Sequence, residues 1–83
     1  MIKSTNYSTY KLIVELLIQA RKDKGMTIRQ LADELEVDNT SVAKIENLRR
    51  KLGLGEYIQY CSALNTDPSQ LIQLALEKEK NLK

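Results

Sequence analysis

Two helix-start signals, eleven residues apart, constrain this chain more than any other feature. Thr27 is followed three positions later by Gln30, the spacing of a capping box. Asp38 precedes a second apolar-periodic run and is a preferred residue type for a helix start. Met26 and Leu31 flank the first start as a hydrophobic staple, and Val37 and Val42 flank the second. Ile28, Leu31, Ala32 and Leu35 form the inward stripe of the first helix; Val42 and Ile45 form that of the second. Only "EVD" connects them. So short a link forces the two axes to cross at a steep angle.

The rest of the chain also reads as helix. Ile13, Leu16, Leu17 and Ala20 recur at helical spacing, which predicts a helix from about Ser8 to Lys24. Gly25 follows it and suits a left-handed ending. After the basic loop "NLRRKLGLG", a helix over about Glu56–Leu64 is expected to bury Tyr57, Ile58, Cys61 and Leu64. "DPSQ" opens a fifth helix, with Asp67 as cap, Pro68 first and Gln70 third, running toward Lys80. No stretch alternates at period two, and Pro and Gly are scarce. The expectation is all-α, one domain over 1–83 with its core at about 8–76.

With no Phe and no Trp, the core must be aliphatic with a few tyrosines. Tyr7, Tyr10, Tyr57 and Tyr60 are expected at its edges. No apolar run exceeds three residues, which excludes a membrane-spanning helix. The start lacks the apolar stretch of a secretory signal. Cys61 is the only cysteine, a core filler that suits a reducing cytosol, so a cytoplasmic location is expected. With no His and no paired carboxylates on a common face, no acid–base or metal constellation is found, so the chain reads as no enzyme and as needing no cofactor or small-molecule ligand.

Charge singles out one stretch. Residues 39–51 carry four basic side chains against one acidic, and the flanking segments are balanced or slightly acidic. At 100° per residue, Thr40, Lys44 and Asn47 point away from Val42 and Ile45, with Ala43 beside them and Asn39 at the tip. The DNA major groove, ~12 Å wide, favours such short side chains. Amides and hydroxyls read base edges there, and an alanine methyl meets a thymine methyl. Arg49, Arg50 and Lys51 follow the helix, placed for phosphates. The competing reading is a polar face that is merely solvated.

"ARKDKGMTIRQLADELEVDNTSVAKIEN" resembles the DNA-binding domain of the phage repressor and Cro helix-turn-helix family, also called XRE-like. "KIENLRRKLGLGEYIQYCSALNTDP" extends the resemblance through the fourth helix. Leu31, Ala32, Leu35, Val37, Val42 and Ile45 occupy the family's apolar or small positions. The resemblance implies a compact five-helix, lambda-repressor-like domain with the helix-turn-helix at helices 2 and 3. It implies base contacts from Asn39, Thr40, Ala43 and Lys44, with Ser41 near a phosphate or base. Asn47, Arg49, Arg50 and Lys51 would take the DNA backbone. It also implies an ion pair between Arg21 and Glu46. Three positions depart from the family pattern. Ile28 replaces a phosphate-binding glutamine, which leaves that phosphate to Thr27, Arg29 or backbone amides. Glu36 and Leu48 stand where glycines are usual.

Family members usually dimerise on two-fold sites with half-sites ~34 Å apart. The apolar residues of the fifth helix span a wider arc than one core face needs. Leu71 and Ala75 suit the core, which leaves Ile72, Leu74 and Leu76 for a second copy; Val14 and Ile18 are a similar excess on the first helix. The function expected is a DNA-binding regulator, a repressor or autoregulator acting as a homodimer on double-stranded DNA. A phage-type repressor and a restriction–modification controller both fit its size. The alternative is a protein-binding helical module such as an antitoxin.

Overall fold

The computed structural model describes residues 4–81, with side chains from Ser8 onward. Five helices follow one another: α1 (Ser4–Asp23), α2 (Ile28–Leu35), α3 (Asn39–Glu46), α4 (Leu54–Ala63) and α5 (Pro68–Asn81). No strand occurs among the described residues. α1 packs along α5, α2 packs on both α3 and α4, and α3 also touches α1. One core forms between them from Leu17, Leu31, Ala32, Val42, Ile45, Tyr57, Tyr60, Cys61, Leu64 and Leu71. Cys61 is wholly buried, and burial pushes its thiol up from its ordinary range, as befits a filler rather than a nucleophile.

Several sequence expectations shift. α1 begins at Ser4 rather than near Ser8. Tyr7 lies outside the residues whose side chains are described. α4 begins at Leu54, two residues before Glu56, because Gly53 caps it and the Glu56 carboxylate accepts from the Gly53 N–H at 2.9 Å. The inward set of α4 is then Tyr57, Tyr60 and Cys61, with Leu64 just beyond, and Ile58 falls outside it at 48% exposed. Val14, expected as spare apolar surface, is buried, and Ile18 is half-buried. Val14 lies on the side of α1 that carries Tyr10 and Arg21, the side that meets Leu52 and Glu46.

The start signals divide likewise. Thr27 caps α2 with the full reciprocal box: its hydroxyl accepts from Gln30 N–H at 3.0 Å, and its own N–H donates to the Gln30 amide oxygen at 2.9 Å. Asp67 caps α5, accepting from Ser69 N–H at 2.8 Å and Gln70 N–H at 3.4 Å. Asp38 holds the first flanking position of α3, but its side chain makes no capping bond. Val37, expected to staple onto Val42, stays exposed.

The first four helices end the same way. Gly25, Glu36, Leu48 and Asn65 all have left-handed backbone, at φ 71°, 59°, 64° and 53°. After each, the next N–H reaches back over the last turn: Met26 to Arg21, Val37 to Ala32, Arg49 to Lys44 and Thr66 to Cys61, at 2.8–3.1 Å. This is the Schellman ending, in which glycine is favoured and asparagine tolerated. Glu36 and Leu48 carry a Cβ there, at about 1–2 kcal/mol each. The sharp turn between α2 and α3 is therefore kept without its glycine.

Helix α1 is tied to α3 by an ion pair. Arg21 Nε donates to Glu46 Oε2 at 2.7 Å and Nη2 to Glu46 Oε1 at 3.1 Å. Its Nη1 donates to the Met26 carbonyl at 2.8 Å. The two side chains are only 10% and 11% exposed. Removing either partner strands a desolvated charge. Arg21→Ala and Glu46→Ala should each lose about 3 kcal/mol of stability, and the double variant clearly less than the sum. Urea midpoints at unchanged slope measure this, and additive losses would contradict the coupling. Glu36→Gly should raise the thermal midpoint by roughly 4–8 °C, the equivalent of about 1 kcal/mol, whereas Glu36→Ala should not. An unchanged midpoint for the glycine variant would remove the strain assigned to that turn.

Candidate nucleic-acid interface

α3 buries Val42 and Ile45, holds Glu46 against Arg21 and turns the rest outward. Asn39, Thr40, Lys44 and Asn47 are exposed, and Ser41 and Ala43 are half-exposed. All the base-edge candidates therefore share the solvent side of one short helix. Their chains are short except for Lys44, so the helix backbone can approach a partner closely. Asn39 opens the helix, where the first backbone N–H groups lack intrahelical acceptors.

The start of α2 supplies a second contact region. Thr27 has spent both its hydroxyl's acceptor side and its N–H on the capping box. Ile28 packs against the core. Arg29 is exposed and has no hydrogen-bond or ion-pair partner among the described residues, so it is the free side chain there, beside the unsatisfied amides of the first turn.

The loop between α3 and α4 holds the remaining cations. Leu52 N–H donates to the Tyr10 hydroxyl at 2.9 Å, which pins the loop to α1. Arg49 and Lys51 are exposed without a carboxylate partner among the described residues. Arg50 differs. Its Nη2 lies 2.6 Å from Glu56 Oε2, and its Nη1 donates to Oε1 at 3.4 Å. The hydrogen bond to Arg50, followed by that from Gly53 N–H, holds the Glu56 carboxyl below its ordinary range, and the same bond raises the Arg50 guanidinium. Residue spacing gave one signal for Glu56, the Gly-x-x-Glu of the α4 start, but no sign that it meets Arg50.

Under α3 lies a small cavity of about 60 Å³, lined in part by Ser41, Ile45, Arg50, Glu56 and Tyr60. Tyr60 is 3% exposed, and its hydroxyl has no hydrogen-bond partner among the described residues. Burial foremost, then the Glu46 carboxylate, pushes that phenol far above its ordinary range, so it remains a hydrogen-bond donor.

A wide apolar strip runs along another side. Leu54, at 78% exposed, and Ile58 stand one turn apart on α4, and Ile72 and Leu76 one turn apart on α5. Leu54 and Ile72 line the same shallow groove. Leu74 is exposed too, but it lines a different groove, against α1. No helix of the described residues is long and apolar enough to cross a membrane.

A helix-turn-helix family model matches residues 17–71, a span that holds α2, α3 and α4 entire. No curated protein matches the chain. Among solved structures, an XRE-family like protein from Pseudomonas syringae pv. tomato is 30% identical, with a TM-score of 0.80, over 96% of this chain and 93% of that one. The matched span, the five-helix architecture and the sharp α2–α3 turn agree, and the chain belongs to the XRE family of helix-turn-helix proteins, a DNA-binding regulatory fold.

Proposed function

We propose that this protein is a sequence-specific transcription regulator that lays α3 in the DNA major groove. The observation that carries this reading is the outward face of α3: narrow, polar and uncovered, with Asn39, Thr40 and Lys44 in water. Asn39, Thr40, Ala43 and Lys44 read base edges, and Ser41 contacts a base or a phosphate. Asn47, Arg49, Arg50 and Lys51 hold the backbone on one side, and Arg29, with the α2 amides and Thr27, holds it on the other. Repression then follows from occupying DNA that polymerase needs.

One such module touches too few base pairs to single out a site. The reading therefore includes a homodimer on an inverted repeat, its half-sites ~34 Å apart. The strip of Ile72 and Leu76, continued by Leu54 and Ile58, supports a second copy as the occupant. Leu74 projects to the other side of α5 and has a weaker claim.

Selection from a randomised duplex library tests the readout. Lys44→Ala should change which bases win at one or two positions per half-site. Arg49→Ala should weaken every sequence alike and reduce the salt slope by about one. Matching profiles for the two variants would refute this division. For the dimer, Ile72→Lys with Leu76→Lys should leave the helical signal intact, give a monomer in sedimentation and lower affinity for the inverted repeat by on the order of 10²-fold. An unchanged sedimentation mass would exclude this strip as the interface.

A further inference from the structure

Arg50 is the one cation of the α3–α4 loop with a carboxylate partner among the described residues. Both oxygens of Glu56 face its terminal nitrogens, and the two side chains are each 41% exposed. A carboxylate and a phosphate present similar paired oxygens to a guanidinium fork. They therefore compete for the same edge of Arg50. On α4, Tyr60 stands four residues after Glu56, on the same face, and a helical side chain leans back over the preceding turn. Arg50, Glu56 and Tyr60 line one cavity of about 60 Å³. The Tyr60 hydroxyl is buried without a partner among the described residues, an uncommon and unfavourable state for a native donor. Glu46 is already held by Arg21, so the neighbouring carboxylate that can be freed is Glu56.

We propose that Glu56 is an internal rival of the DNA phosphate for Arg50, and that the Tyr60 hydroxyl receives the carboxylate once Arg50 leaves it. The inference rests on the DNA-binding reading above. In the free protein, Arg50 is held on Glu56. On DNA it turns to a phosphate oxygen. Glu56 then swings toward Tyr60, which keeps its charge hydrogen-bonded and away from the duplex. The pair thus sets a ceiling on phosphate affinity that is independent of base sequence.

The test is anisotropy of a labelled random-sequence duplex at about 50 and 200 mM salt. Wild type, Glu56→Gln, Arg50→Ala and the double variant are compared. Glutamine keeps an oxygen for Gly53 N–H, so the start of α4 survives. Glu56→Gln should bind about two- to fivefold tighter, and the gain should vanish when Arg50 is alanine. An equal gain in both backgrounds would reduce Glu56 to a distant repulsive charge and overturn the rivalry. Weaker binding by Glu56→Gln would make Glu56 a support for Arg50 and overturn it as well. Tyr60→Phe should keep or raise the thermal midpoint yet weaken DNA binding about two- to fivefold; unchanged binding would overturn its receiving role. Absence of salt-sensitive binding in wild type and all variants would overturn the DNA-binding reading itself, a pattern distinct from every one above.

Discussion

The Arg21 guanidinium fixes the orientation on which the rest depends. Three of its nitrogens reach the end of α3 through Glu46 and the α1–α2 connection through the Met26 carbonyl. α3 has only eight residues, too few to be stable as an isolated helix. Val42 and Ile45 anchor one of its sides but leave it free to rock about that line. A bidentate ion pair at its C-terminal end removes the rocking, because a planar fork accepts one carboxylate geometry. An apolar pair of similar volume could match it in stability but not in direction. Since the proposed base-reading face is presented by the same helix, small angular errors would displace it.

The turn between α2 and α3 shows how much backbone strain this arrangement tolerates. Glu36 adopts φ 59° with a full side chain. Its strain is held by two backbone bonds, Glu36 N–H to Asp33 and Val37 N–H to Ala32. The same closure recurs at Leu48, just after the clamped end of α3. Positive φ there comes from hydrogen bonding across the last turn and not from the residue's preference. Glycine is therefore dispensable where neighbouring packing already dictates the path, which explains how the chain departs from the family pattern at both positions yet keeps its fold.

Local signals were the legible part of the sequence. Thr27 with Gln30, Asp67 with Pro68, and Gly25 each act within a few residues, and each stands as read. The Arg21–Glu46 contact spans 25 residues and was legible only through family resemblance. What escaped was set by tertiary packing. Ile58 looks inward by composition, but it lies about 100° round α4 from Tyr57, off the stripe of Tyr57, Tyr60, Cys61 and Leu64. Val14 looks spare on a single helical wheel, yet it is buried on the side of α1 that carries Arg21. Asp38 has the right residue type at the right place, but nothing in the sequence guarantees that its side chain turns toward the helix. Nothing in residue spacing joins Glu56 to Arg50, because the two lie across a loop whose path is unreadable from spacing.

Arg21 and Arg50 show that one chemistry can serve opposite ends. Each faces a glutamate with two nitrogens, and the shortest contacts are 2.7 Å and 2.6 Å. Their side chains differ in burial: 10% and 11% exposed for the first pair, 41% and 41% for the second. In the sheltered pair no outside anion can reach the guanidinium, and breaking it leaves both charges desolvated. In the exposed pair water already occupies part of each group, and an exposed ion pair contributes little to stability. A phosphate can therefore exchange with Glu56 but not with Glu46. Burial, more than charge or distance, separates the arginine that builds the frame of α3 from the arginine available to a partner.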